Sequence, residues 1–412
     1  MIVKYKLKNG ITCIFNKIEG VFSVCCGILV KAGSAYETPE ENGISHFLEH
    51  VNFKGTKKRS AFEISSDIDN LGAQINAFTS KEFTCFYVKS IGEHFAKSFE
   101  ILSDIFVNSV YDEEELVKER GVVLEEINMY EDTPDEVCSD NLAGCYFGKT
   151  GYGATILGPS KNVNGFDRKA VLNYKNKYYT TDNIVISIAG AIDVENAKAV
   201  CEKYLGEIAV TKGETPPVIN LKNLEQHVSI EKDVQQAHVA LAFKGTSLTD
   251  READNYSVAC GVLGGGMSSR LFQTVREKMG LCYSVYSYIT SYVNCGFTTV
   301  YAGVSLNGYQ KAFDAIMKEI KELKSKGITQ KEFERTREQI KSSFIFTQES
   351  TASQMILFGK YLLLTGKIFD IEKRLNDINN LSLKGVNDTI FESFETDKLS
   401  TCIVGKNVKR LL

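Results

Sequence analysis

A chain of 412 residues is longer than one ordinary hydrophobic core accommodates and predicts two or more domains. Its 48 basic residues nearly balance 52 acidic ones, leaving a net charge of −4 that argues against nucleic acid as a principal partner. The 43% hydrophobic and 24% charged content is that of a soluble globular protein, and no stretch approaches the roughly 18 apolar residues of a membrane span.

The N-terminal run Met1–Lys8 lacks the apolar core of a signal peptide, so the expectation is a cytosolic chain with no membrane partner. The 11 cysteines are odd in number and contain no Cys-x-x-Cys, which reads as buried free thiols of a reducing compartment. Lys4–Asn16 alternates about Asn9-Gly10, a hairpin signal, and Phe22–Val30 follows as a buried strand.

Next comes Gly43-Ile-Ser-His-Phe-Leu-Glu-His-Val-Asn-Phe-Lys-Gly-Thr56, with Asn42-Gly43 as a helix start and Gly55 as a stop. On a helix, positions i and i+4 share a face, so His46 and His50 can grip one cation while Glu49, at i+3, stands beside it. This is H-x-x-E-H, the inverse of the H-E-x-x-H metallopeptidase pattern. A histidine pair on a helix is usually a surface pair or a satisfied core pair. With only 5 histidines in the chain, chance placement of two of them in this frame is on the order of one in a few hundred.

A polar helix near Ala61–Leu71 and strands at Gln74–Ser80 and Glu82–Lys89 come next. Phe95, Phe99, Leu102 and Phe106 then form an apolar helical stripe that belongs to a core. The Glu-rich helix Glu113–Tyr130 carries Glu119 and Glu126, seven apart and on one face, and Glu126 offers the further ligand that two histidines lack. Two histidines and a carboxylate, with a fourth position left to water, is the ligand set of a catalytic zinc.

Asn183–Ala191 is another β-rich run. Lys212-Gly-Glu-Thr-Pro-Pro then reads as a linker, dividing the chain into 1–210 and 221–412 with 211–220 between. Beyond it the chain repeats, with Phe83-Thr-Cys-Phe-Tyr-Val aligning with Phe297-Thr-Thr-Val-Tyr-Ala, and Phe95, Phe99 and Leu102 with Tyr309, Phe313 and Ile316. Only the first copy carries the chemistry, because Gly261–Arg270 contains no His or Glu. Gly264-Gly-Gly-Met-Ser-Ser-Arg lacks the phosphate-loop patterns, and His94, His227 and His238 show no ligand spacing.

Gly33-Ser-Ala-Tyr-Glu, Asn42-Gly-Ile-Ser-His-Phe-Leu-Glu-His and Phe53-Lys-Gly-Thr resemble the inverted-zinc-motif peptidases, the family of pitrilysin, insulysin and the mitochondrial processing peptidase. The resemblance extends through Asn76-Ala-Phe-Thr-Ser, Glu119-Arg to Glu126, Tyr178-Tyr to Gly190, and Gly265-Gly-Met-Ser-Ser-Arg-Leu-Phe with Arg276 to Tyr283. Glu126 falls at the family's distance from His50 for its third ligand. At 45.9 kDa the chain is similar to the short bacterial processing-protease type.

The resemblance implies an α+β fold of two homologous halves, each an antiparallel sheet flanked by helices, with two chains closing as a homodimer around an acidic chamber. It implies a zinc endopeptidase acting on peptide substrates, with one zinc per chain held by His46, His50 and Glu126. Glu49 would be the general base and Glu119 an auxiliary carboxylate. By the same resemblance, Asn76, Ala77 and Phe78 form an edge strand that pairs with an extended substrate, and Arg276 and Tyr283 grip the substrate carbonyl and developing oxyanion. Glu136 and Asp140, one helical turn apart, would hold a substrate arginine. The family also contains non-catalytic core subunits, an alternative that the intact motif and Glu126 argue against.

Overall fold

The computed structural model describes residues 2–214 and 223–412. Strands β1 (Ile2–Lys6) and β2 (Thr12–Lys17) form the hairpin expected around Asn9-Gly10. The turn is wider than a two-residue one: Leu7 and Ile11 pair through their backbones at 2.9 Å, and Gly10, at φ +94°, closes it. β3 (Ser23–Val30), β4 (Gln74–Thr79), β5 (Thr84–Ile91) and β6 (Ile184–Gly190) complete a six-stranded sheet ordered β1-β2-β6-β3-β5-β4. Here the expected antiparallel sheet needs a correction. β6 returns after a long helical excursion and lies parallel to β2, while its other neighbour, β3, is antiparallel to it.

The first five α-helices of the first half are α1 (Ile44–Val51), α2 (Ala61–Asn70), α3 (Phe95–Asn108), α4 (Glu113–Glu131) and α5 (Pro134–Phe147). Ser60 and Glu63 form a reciprocal capping box at the start of α2. The predicted stripe of α3 is core: Phe95, Phe99, Leu102 and Phe106 are all buried, and Phe106 meets Phe86 of β5 edge-on at 5.8 Å between ring centres. The other element set against the central strands comes from far along the chain. In the helix Thr351–Thr365, Met355 O accepts a bond from Ser187 Oγ at 2.7 Å, and a Cβ added to Gly27 would fall 2.3 Å from the Met355 sulfur.

The second sheet is built from β7 (His227–Glu231), β8 (Gln236–Lys244), β9 (Cys282–Ser291), β10 (Gly296–Ser305) and β11 (Ser400–Gly405), ordered β7-β11-β8-β10-β9. β11 is parallel to β7 and the other pairings are antiparallel, so order and direction repeat those of β2-β6-β3-β5-β4. The duplication read from the sequence is therefore a duplication of topology, with β10 equivalent to β5 and the helix Tyr309–Lys326 equivalent to α3. Side chains alternate between the two faces of β8. Val239, Leu241 and Phe243 pack with Phe313, Ile316 and Ile320, whereas Ala240 and Ala242 face Val137, Cys138 and Leu142 of α5.

Two compact units result, and neither follows the expected halves 1–210 and 221–412. Asn128–Ala154, from the first half, belongs with the second sheet, and Phe346–Phe369, from the second half, belongs with the first. The equivalent helices α5 and Thr351–Thr365 are thus exchanged. An apolar helical face records that it must be covered but not which sheet covers it. Of the expected linker 211–220, Thr211–Glu214 bonds to Thr181, Asp182 and Lys177, and residues 215–220 lie outside the described residues. All 11 cysteines are free thiols, as expected, and Cys282 and Cys295 are the two that are not fully buried. Among the described residues no helix is long and apolar enough to cross a membrane.

Candidate metal centre

The metal-type motif occupies α1, which is fixed at both ends. At its start Gly43 has φ +102°, and a Cβ there would meet Leu157 O at 2.6 Å, so the chain can enter the helix only through glycine. The buried carboxylate of Glu37 accepts from Gly43 N and Ser45 N, both at 2.8 Å, and from Asn42 Nδ2 at 3.0 Å. Burial pushes the Glu37 pKa up against these donors, which favour its charged form. At the other end, Asn52 O accepts from Ser109 Oγ and Asn52 Oδ1 from Tyr111 OH, each at 2.7 Å. Lys175 in turn donates to Tyr111 OH at 2.7 Å, and burial lowers its pKa to about 8.

His46, His50 and Glu126 converge, with one ligand atom from each lying within 4.8 Å of the others. The two Nε2 atoms are 3.2 Å apart, and Glu126 Oε2 is 3.4 Å from His50 Nε2 and 3.6 Å from His46 Nε2. Zinc bonds of about 2.0–2.1 Å place tetrahedral ligand atoms about 3.3–3.4 Å apart, so this triangle has the dimensions of one face of a zinc tetrahedron. The donor set fits a divalent cation with one position open. Burial and the neighbouring His50 lower the pKa of His46 to about 4. Burial also opposes charge on His50, but its bonds to Glu119 and Glu126 outweigh that and raise its pKa to about 9.

The surroundings orient these groups. His50 Nδ1 lies 2.9 Å from Glu119 Oε1, and a proton donated there leaves the Nε2 lone pair facing the site. Glu119 is buried, and burial is outweighed by bonds from His50 and Lys54 that lower its pKa. Glu49 Oε2 accepts from Thr79 Oγ1 at 2.6 Å; burial raises the Glu49 pKa, with Thr79 opposing. Thr79 ends β4, the edge strand of its sheet, which also carries Asn76, Ala77 and Phe78 and, among the described residues, pairs only with β5. Thr79, Lys54 and Glu37 were not singled out as site residues from the sequence. Each lies within a stretch that carries the family resemblance, but no spacing rule joins it to His50, Glu49 or Gly43.

The remaining candidates belong to the other compact unit. Arg276, on the π-helical turn Phe272–Lys278, lies over the rings of Phe272 at 4.6 Å and Tyr283 at 5.0 Å, and Tyr283, on edge strand β9, is 76% exposed. Glu136 and Asp140 lie one turn apart on α5, whose first position is Pro134. Burial and the charges of Asp135 and Asp140 raise the Glu136 pKa. Of the histidines read as structural, His238 is bonded to Tyr301 OH at 2.7 Å and His227 to Thr401 Oγ1 at 3.0 Å, while His94 lies 3.9 Å from Glu93.

Comparison with known proteins gives a consistent picture. Residues 16–160 match the family model described as insulinase (peptidase family M16), and residues 165–340 match the one described as the peptidase M16 inactive domain. The chain is 42% identical over 397 residues to a Bacillus subtilis (strain 168) protein named "uncharacterized zinc protease YmxG", covering 96% of this chain and 97% of that one. It is 31% identical over 395 residues to the mitochondrial-processing peptidase subunit beta of Saccharomyces cerevisiae (strain ATCC 204508 / S288c), covering 92% and 85%. Among solved structures, a protease from Helicobacter pylori matches with a TM-score of 0.90 at 23% identity, covering 98% of this chain and 99% of that one. A peptidase M16 inactive domain from Pseudomonas fluorescens matches with 0.89 at 18%, covering 99% and 98%. At these identities the structures establish the fold alone.

Proposed function

Because this chain belongs to the insulinase family, peptidase family M16, we propose that it is a zinc-dependent endopeptidase in which His46, His50 and Glu126 hold the metal and Glu49 is the general base. The observation that carries this reading is the triangle of ligand atoms, with edges of 3.2, 3.4 and 3.6 Å, in which His46 and His50 come from the same short helix as Glu49 and Glu126 comes from α4.

Zinc, when bound, supplies Lewis-acid polarisation of the scissile carbonyl and acidifies water. The remaining work falls to the chain's own side chains. Glu49 takes the proton of the attacking water and delivers it to the leaving amine, while the bond from Thr79 Oγ1 to Oε2 orients the carboxylate for that exchange. Glu119 holds the Nδ1–H of His50 and so fixes its tautomer. The outer edge of β4 at Asn76–Phe78 pairs with an extended substrate backbone, which permits cleavage without strict sequence demands. Arg276 and Tyr283 grip the substrate carbonyl and the developing oxyanion, and Glu136 with Asp140 accepts a substrate arginine. Two chains close as a cytosolic homodimer around a chamber that admits unfolded peptides or presequence-like segments, a substrate class in keeping with the name of the processing-peptidase relative.

The second reading, a non-catalytic core or assembly subunit, draws on the family model called inactive. That model covers residues 165–340, whereas all three ligands and Glu49 lie within 16–160. The division favours an active first half joined to a second half without metal ligands.

A zinc assay beside a quenched-peptide assay tests the reading. Glu49→Gln keeps both imidazoles but cannot accept a proton, so zinc content near one per chain with activity reduced by at least ~100-fold is expected. His50→Ala loses the metal itself. Near-normal turnover by Glu49→Gln would remove Glu49 as the base.

A further inference from the structure

Lys54 belongs to the Phe53-Lys-Gly-Thr stretch, and neither metal binding nor proton transfer as described above uses it. Its ammonium lies 2.6 Å from Glu119 Oε2, while the other oxygen of that carboxylate meets His50 Nδ1 at 2.9 Å. Lys54 and His50 therefore occupy the two oxygens of one carboxylate, in a residue that is only 4% exposed. An exposed lysine pair contributes little because both side chains are mobile. This pair differs in having a buried acceptor whose second oxygen is committed to a ligand histidine.

The backbone carrying Lys54 is fixed as well. Asn52 O accepts from Ser109 Oγ at 2.7 Å, Gly55 O accepts from Val110 N at 3.2 Å, and Thr56 forms a β-bridge with Ser109. Gly55, at φ +115°, turns the chain directly after Lys54, so the lysine is held between two anchored residues.

We propose that Lys54 is a positioning residue of the metal centre: by holding Glu119 Oε2 it keeps Glu119 Oε1 on His50 Nδ1, and so keeps His50 Nε2 turned toward the metal. The inference rests on the zinc-site reading above.

Removing the ammonium has two effects of opposite sign. By charge alone, the carboxylates of Glu49, Glu119 and Glu126 are balanced by a divalent cation together with Lys54, so losing Lys54 leaves excess negative charge and tightens cation binding. By position, losing Lys54 frees Glu119 to swing away from His50 and loosens it. The direction of the change in zinc affinity separates the two.

The experiment measures the affinity of the full-length protein for Zn2+ by competition with a chromophoric chelator, comparing wild type, Lys54→Met, Lys54→Arg and His50→Ala. The thermal midpoint of each metal-free protein is recorded alongside. Lys54→Met is expected to bind zinc about tenfold more weakly, the lower end of the range for groups that orient metal-bound histidines, at a nearly unchanged metal-free midpoint. Lys54→Arg, which retains a donor for Glu119, is expected to restore most of the affinity. Equal or tighter binding by Lys54→Met overturns the inference. A loss that tracks a lowered midpoint and is not rescued by arginine also overturns it, because that is the signature of a merely structural role. A wild type that binds no zinc, or binds it as well after His50→Ala, overturns the site reading itself and this inference with it.

Discussion

The proposed preference for arginine rests on Glu136 and Asp140. They share a face of α5, and among the described residues neither forms an ion pair with a basic group of this chain, while burial, joined by the charges of Asp135 and Asp140, raises the Glu136 pKa. Carboxylates left without an internal cation suit an external one, and a planar guanidinium engages both better than an ammonium does. Peptides with Arg, Lys or Ala two residues before the scissile bond should rank in that order. The arginine peptide should exceed alanine by about tenfold to a hundredfold in kcat/KM, as charge-assisted hydrogen bonds of about 1.5–3 kcal/mol imply. Glu136→Gln/Asp140→Asn should flatten the ranking. Equal kcat/KM for the three peptides in the wild type would remove these residues from specificity. At this scale the sequence was informative wherever helix periodicity alone sets proximity, as for His46 with His50 and Glu119 with Glu126. It was silent on Thr79, Lys54 and Glu37, whose contacts depend on how separate elements pack.

Arg270 and Glu332 illustrate the same limit between elements. Read along the chain, Arg270 ends a glycine-rich loop with no evident task. In the fold, its Nε and Nη2 engage both oxygens of Glu332 at 2.7 and 2.9 Å, and its Nη2 also reaches Gly327 O at 2.9 Å. Glu332 simultaneously closes a capping box with Thr329 at the start of the helix Gln330–Thr347. Burial opposes its charge, but Arg270 and Thr329 outweigh that and hold the Glu332 pKa at about 2. A depressed folded-state pKa gives stability that is complete above the unfolded carboxylate value of about 4.3 and is lost as pH falls toward 2. Glu332→Gln should therefore destabilise the protein by roughly 2 kcal/mol at neutral pH and by progressively less between about pH 4.5 and 2. Urea unfolding at several pH values would show it, and a penalty that did not shrink with acidification would remove the ion pair as its source. Helices and strands of strong period, such as α3 and β3, were legible before the fold was known. The parallel β2–β6 pairing was not, because local pattern does not encode which strand a returning segment joins.

For the molecule as a whole, the duplication was visible in the sequence and the exchange of helices was not. Offset alignment matches β5 with β10 and α3 with Tyr309–Lys326, but it cannot report that α5 leaves its own half for the second sheet while Thr351–Thr365 crosses to the first. The exchange makes each half incomplete. A fragment of residues 1–214 lacks the helix that lies against Gly27, Leu29 and Ser187 in the centre of its sheet, and it carries α5 with Val137, Cys138 and Leu142 deprived of Ala240 and Ala242. A fragment of residues 223–412 has the reciprocal deficits. Apolar faces of this size, left in water, cost about 25 cal/mol for each Å² that folding would otherwise bury, enough to consume the margin of a marginally stable domain. Each fragment alone is expected to give a broad, non-cooperative thermal transition with exposed hydrophobic surface, and co-refolding the two should restore a cooperative transition and zinc binding. A fragment of residues 1–214 that unfolded cooperatively and bound zinc by itself would show that the exchanged helix is dispensable, and that the first sheet and its metal centre form an independent domain after all.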